Sequence, residues 1–171
     1  MKQTLKYILS VIVDNLNYAE GKHAVGVALS SGIIIFSAAN LDPFASLATI
    51  FAGLSILFCS ISIGFSLLAL MSRDFKIKDY GKKVITNNTN LVYFKDIARF
   101  ATDNYLNALI KSYNFPKNYK PDEFEVDLAK QVLLTAKLTN FKFLFFNKSI
   151  QSLAIGIIFT VVMVVVIAMG A

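Results

Sequence analysis

Three stretches of the chain carry no charged residue: residues 24–41, 43–72 and 149–171, which are eighteen, thirty and twenty-three residues long. A helix rising about 1.5 Å per residue needs about twenty apolar residues to cross a hydrocarbon layer of about 30 Å. All three stretches meet that test, the first at its short limit. The pattern predicts an all-α integral membrane protein with three transmembrane helices. Ahead of the first span, Leu5, Ile8, Leu9, Ile12, Val13 and Leu16 recur at helical spacing between Lys2, Lys6, Asp14, Asn15 and Asn17. That predicts an amphipathic helix over residues 1–23. The apolar run Tyr7–Val13 is too short, and too soon followed by Asp14, for a secretory signal.

Residues 24–71 predict a hairpin of two spans, closed by Asn40–Phe44 with Pro43 in the turn. In the second span Ala45, Ala48, Ala52, Ser55, Cys59, Ser62, Ser66 and Ala69 follow one another by three or four, so all fall on one face. Gly21, Ala24, Ala28, Ser31, Ile35 and Ala38 repeat that spacing in the first span, with Ile35 the one bulky member. Lipid gives little hydrophobic drive between helices, so small faces matter because they let backbones approach closely. Either the two faces pack on each other within one hairpin, or one of them meets another protomer.

Residues 72–148 predict a helical insertion, and residues 149–171 the third span. Ser72–Tyr80 continues the second span's helix, and Asn87-Asn88-Thr89-Asn90 breaks it. Leu91–Tyr113 predicts one helix, with Val92, Lys95 or Ile97, Phe100, Ala101, Tyr105, Ala108 and Leu109 along a mostly apolar stripe. A loop bounded by Pro116 and Pro121 follows. Asp122 then has Glu125 three residues on, the spacing of a capping box. From there no glycine or proline occurs until Gly156, which predicts one helix of about forty-five residues, or about 70 Å. Such a rod, rooted in the bilayer, suits the transmission of movement.

Charge gives the orientation. Of seventeen Lys and Arg residues, three precede the first span, none follows Lys148, and fourteen lie between Arg73 and Lys148. The positive-inside rule places the N-terminus and residues 72–148 in the cytoplasm. The sequons at Asn87 and Asn147 are then chance matches. The sequence holds one cysteine, Cys59, and one histidine, His23, and shows no phosphate-binding loop, dinucleotide fingerprint, metalloprotease motif or metal-ligand spacing. It reads as no enzyme and as needing neither metal nor cofactor.

Fourteen basic residues against eight acidic ones between Arg73 and Lys148 admit two readings. One is attraction to anionic lipid heads. The other is a pocket for an anionic ligand, with rings to stack a base and cations to hold a phosphate. Tyr93, Lys95, Arg99 and Tyr105 on one helix, with Lys137, Asn140 and Lys142 on the next, supply those chemical types.

Several short motifs occur in order. Glu20-x-Lys22 enters the first span, and Tyr93-Phe94-x-Asp96-Ile97 is followed by Tyr105. Asp127-x-x-x-Gln131 leads through Lys137 to Lys142-Phe143, before the last span. Over residues 18–152 this order resembles the Pycsar-type transmembrane effectors of bacterial anti-phage defence. The first motif departs from the family's Asp-x-Lys-Ala, reading Glu20-Gly21-Lys22-His23. The resemblance implies an inner-membrane effector, quiet until a cyclase triggered by infection makes a cyclic pyrimidine mononucleotide, cCMP or cUMP. Binding would then drive assembly or rearrangement in the lipid bilayer and compromise it, an abortive infection. The implied partners are further copies of the chain, a homo-oligomer, and the cyclase through its product, with no nucleic acid. A related reading keeps the architecture and substitutes a cyclic oligonucleotide. The competing class is a non-enzymatic membrane scaffold or accessory subunit of a larger complex.

Overall fold

The computed structural model describes residues 1–41, 46–71, 89–116 and 118–169, with the side chain of Ser46 excepted. The Pro43 turn, Ala45, the Ser72–Tyr80 continuation and the Asn87–Asn88 break with its sequon lie outside the described residues. Among the described residues are five helices and no strand: α1 Lys2–Ala39, α2 Ser46–Met71, α3 Phe94–Ile97, α4 Thr102–Ser112 and α5 Glu123–Ala168. Three of them, α1, α2 and α5, are long and apolar enough to cross a membrane. The N-terminal amphipathic segment is not a separate helix, because α1 runs unbroken through residue 23 for 38 residues. The long last helix is 46 residues, as its lack of breakers predicts.

Two compact units divide the chain. One is Met1–Ala19 with the described part of Asp74–Lys142; the other is made of the described parts of Glu20–Arg73 and of Phe143–Ala171. In the first unit the interior is largely apolar: Leu5, Ile8 and Ile12 of α1, Phe94, Ile97, Phe100, Leu106 and Leu109, and Leu128, Val132 and Leu133 of α5 are buried, with Glu125, Thr139 and Lys142 buried beside them. The expected single helix over Leu91–Tyr113 is two. Ala101, extended at ψ 157°, separates α3 from α4, and Tyr105 beyond it is buried with its hydroxyl donating to the Leu91 carbonyl at 3.0 Å. Val92 and Ala101 thereby leave the buried stripe, while Ile97, Phe100, Tyr105, Ala108 and Leu109 keep it. Helix α4 ends on Asn114 in the left-handed region, φ 53°, and the Phe115 N–H returns to the Ile110 carbonyl at 3.1 Å. Asparagine here does what glycine usually does at a helix end. The box at the start of α5 closes reciprocally: the Glu125 N–H donates to Asp122 Oδ1 at 2.8 Å, and the Asp122 N–H to Glu125 Oε2 at 3.2 Å.

The second unit buries a row of hydroxyls beside a small apolar cluster of Ala48, Ala52 and Met163. Val25, Leu29, Leu57, Leu68, Ile158, Val161 and Val165 face outward, whereas Ser30, Ser37, Ser55, Ser62, Ser66, Ser149 and Ser152 are buried. Polar groups inside and aliphatic groups outside is the arrangement a lipid solvent favours, since hydroxyls find no partner in hydrocarbon.

Candidate functional site

In the second unit the α2 face is the hub. Ala48, Ala52, Ser55, Cys59, Ser62, Ser66 and Ala69 are all buried. One flank belongs to α1: Ser30 Oγ donates to Ser62 Oγ and Ser37 Oγ to Ser55 Oγ, each at 3.2 Å. The other belongs to α5, where Ser149 Oγ lies 2.9 Å from both Ser62 Oγ and Ser66 Oγ, and Thr160 Oγ1 lies 2.6 Å from Ser55 Oγ. Ser149 also donates to the Ser62 carbonyl at 3.0 Å, and Ser152 to the Phe58 carbonyl at 2.9 Å. Gly156 makes the closest approach, for a Cβ there would stand 2.6 Å from Cys59 Sγ. The result is a seam of two hydroxyl groups, Ser30–Ser62–Ser66–Ser149 and Ser37–Ser55–Thr160, with Cys59 and Gly156 packed between them.

The first span meets α2 on a different face from the one its sequence suggests. Gly21, Ala24, Ala28, Ile35 and Ala38 are exposed, Ile35 by 70%, and Ser31 is only half-buried. His23, Gly26, Ser30 and Ser37 are buried instead. The reason lies in α2 and α5, whose hydroxyls need hydroxyl partners; Ser30 and Ser37 supply them, and Ala24 and Ala28 could not. On α5, Ser149, Ser152, Gly156, Thr160 and Met163 also follow by three and four, a signal the sequence held.

Aromatic rings and lysines collect in the same unit. Lys22 Nζ lies 5.2 Å from the Phe146 ring centroid and 5.6 Å from that of Phe143, so the first and last family-like motifs meet. Lys148 Nζ stands over Phe145 at 5.6 Å and Phe65 at 5.9 Å, and His23 meets Phe146 edge-on at 5.6 Å. Such pairs suit an interface where the ring is in the apolar phase and the ammonium is hydrated.

The candidate ligand residues all lie in the first unit and are treated unequally. The Tyr93 motif forms a capped turn: Asn90 Oδ1 accepts the N–H groups of Val92 and Tyr93, while the Asn90 N–H donates to Asp96 Oδ2 at 3.1 Å. Tyr93, Lys95 and Arg99 project from that turn and are exposed. Arg99 approaches Asp96 only to 3.9 Å and keeps 56% of its side-chain surface. Tyr105 does not belong with them. Buried against Phe100 and bonded to Leu91, it is a core residue, and burial pushes its phenol well above the usual range. On α5, Lys137 and Asn140 are half-buried and Lys142 is fully buried. Five residues apart, Lys137 and Lys142 lie about 140° apart around a helix of 3.6 residues per turn, so they do not serve one face. Asp127 of the remaining motif pairs with Lys130 at 2.9 Å on the surface.

Among the described residues the two units define a class: an all-helical protein with three apolar helices long enough for a bilayer, and a first unit with a largely apolar core. The chain belongs to the family of the Pycsar effector protein domain, PycTM, whose model matches residues 4–170. Membership makes it a cyclic-nucleotide-signalled anti-phage effector, outside the known catalytic families. No curated protein and no solved structure matches the chain.

Proposed function

We propose that this protein is switched on by cCMP or cUMP and then compromises the bacterial inner membrane, with its N-terminus and residues 72–148 on the cytoplasmic side. The observation that carries this reading is the family match along residues 4–170. The inverted interior of the three-span unit supports the membrane location, and the concentration of fourteen basic residues between Arg73 and Lys148 supports the orientation. Helix α5 passes without a break from the unit that holds the ligand candidates into the unit that holds the spans. It is the natural transmitter. The small face of α1 left outside, Gly21, Ala24, Ala28 and Ala38 with the half-buried Ser31 between them, suits a second copy of the chain in lipid. Cross-linking in native membranes that yields monomer alone would remove that element of the proposal.

Arg99 is the first ligand residue, because a planar guanidinium can hold two phosphate oxygens at once. Tyr93 and Lys95 share its turn, and Lys137 and Asn140 are the α5 contributors. The test is calorimetric titration of the purified protein in lipid nanodiscs with cCMP, cUMP, cAMP and cGMP. A pyrimidine nucleotide should bind, Arg99→Ala should abolish binding, and Arg99→Lys should restore it only in part. Wild-type affinity in Arg99→Ala would leave Arg99 as the surface partner of Asp96, a contact worth a few tenths of a kcal/mol. Absence of binding by all four nucleotides would favour the scaffold reading.

A further inference from the structure

Among the described residues of the three-span unit, the acidic, lysine and arginine side chains are Glu20, Lys22 and Lys148. Lys22 comes just before the charge-free stretch 24–41, and Lys148 directly before the stretch 149–171. Both stand over aromatic rings at one level of the unit, that of residues 143–146 of α5. Lys22, on α1, has the rings of Phe146 and Phe143 at 5.2 and 5.6 Å. Lys148 has Phe145 at 5.6 Å and Phe65, on α2, at 5.9 Å, and those two rings meet edge-on at 6.1 Å. One lysine and its rings therefore lie on the α1 flank of α5, and the other set on the α2 flank. Lys22 and all four rings are half-buried, and Lys148 is exposed.

A ring face attracts an ammonium and fixes its place, yet it leaves the positive charge uncancelled. The ring belongs with acyl carbons and the ammonium with the headgroups above them, so this geometry holds each cation at the depth of lipid phosphates. With two cations against one carboxylate, the collar complements a negative surface. A zwitterionic headgroup carries a cation of its own that competes for its phosphate, and an anionic one does not. We propose that these lysine-and-ring sets are two seats for anionic phospholipid headgroups, with Lys22, Phe143 and Phe146 on one flank of α5 and Lys148, Phe145 and Phe65 on the other. Each seat takes the phosphate at its ammonium and the first acyl carbons against its rings. The seats need a bilayer and no nucleotide, so they stand or fall apart from the activation proposed above.

Electron spin resonance of labelled lipids tests them, because lipids held against a protein give a motionally restricted signal. The full-length protein is placed in phosphatidylcholine bilayers with traces of spin-labelled phosphatidylglycerol or phosphatidylcholine. The restricted signal should be enriched for phosphatidylglycerol in the wild type. Lys22→Gln with Lys148→Gln should bring the two lipids to parity, and either substitution alone should remove part of the enrichment. Lys6→Gln with Lys130→Gln, which takes the same charge from exposed positions of the first unit, should leave the enrichment unchanged. Phe145→Leu with Phe146→Leu should lower it although every lysine remains. A wild type without enrichment, or enrichment that survives in the Lys22 and Lys148 double variant, overturns the seats. Equal losses in the two lysine pairs would reduce the effect to overall charge, and full enrichment without the rings would reduce it to lysine alone; each contradicts a built seat. Enrichment abolished by millimolar inorganic phosphate would assign the lysines to a soluble anion and overturn the lipid.

Discussion

The two units of this molecule, built largely from the same two long helices, sort their side chains in opposite senses. In the unit with Leu5, Ile8, Ile12, Phe94, Ile97 and Val132 inside, the charges of Lys2, Lys6, Lys95, Arg99 and Lys130 lie outside. In the other, Ser30, Ser55, Ser62 and Ser149 are inside and Leu57, Ile158 and Val165 outside. One chain cannot follow two folding rules. The difference is the solvent. Burying a leucine is favourable where the alternative is water and gives nothing where the alternative is a lipid tail. In hydrocarbon it is the polar group that has to be hidden. The comparison teaches that small polar positions at helical spacing carry the packing information in one unit, and large aliphatic positions in the other.

Paired substitutions break or sharpen that contrast. The largest expected effect is Ile8→Ala in the apolar core, where the side chain is fully buried. It should lower stability by about 2–5 kcal/mol. Ile158→Ala, on a side chain 60% exposed, should leave the thermal melt of the protein in nanodiscs nearly unchanged. Next comes Gly156→Leu, which drives a side chain into Cys59 Sγ and the Ser55 carbonyl, and should cost about 1–3 kcal/mol by overpacking. Gly32→Leu is its control, since nothing lies within 4 Å of a Cβ there. Equal effects of the two glycine substitutions would mean that the seam is not close-packed.

The smallest effect is a pH dependence confined to the first unit. The hydrogen bond from Lys2, aided by the Glu125 N–H, holds the Asp122 carboxyl below the usual carboxylate range. A depressed folded value gives stability that is present above the unfolded value of about 4 and is lost as pH falls through the folded one. The hydrogen bond to Glu125 pushes the Tyr119 phenol up. That contribution is present below the unfolded value of about 10 and is lost as pH rises through the folded one. Asp122→Asn should flatten the acid side of the melting profile and Tyr119→Phe the alkaline side. Lys2 and Asp122 keep about half of their side-chain surface, so the acid-side change should be small.

Much of the architecture could be read from residues alone. The charge-free stretches marked the three membrane-competent helices, the Ala48–Ser66 pattern marked the face of α2 that is buried, and Asp122 with Glu125 marked the start of α5. The face of α1 was not legible, because that helix carries small residues on both sides. Ala24 and Ala28 are as regular as Gly26 and Ser30, and only the hydroxyls of α2 and α5 decide between them. Ile35, too bulky for the expected face, was the one local sign. The break before Thr102 was hidden because no glycine or proline marks it. The ligand candidates were chosen by chemical type, which cannot separate an exposed Tyr93 from a Tyr105 whose spacing to Ala108 and Leu109 belongs to the core.

The central claim, that one unit lies in lipid and the other in cytoplasmic water, has a direct test in two positions of equal exposure. Leu134 in the first unit and Ile158 in the second keep 57% and 60% of their surface. Each is replaced by cysteine in a Cys59→Ala background and treated in cells with an impermeant maleimide. The account predicts that Leu134→Cys is labelled only after the inner membrane is permeabilised, and that Ile158→Cys is labelled in neither condition. Labelling of Ile158→Cys as readily as Leu134→Cys would contradict it.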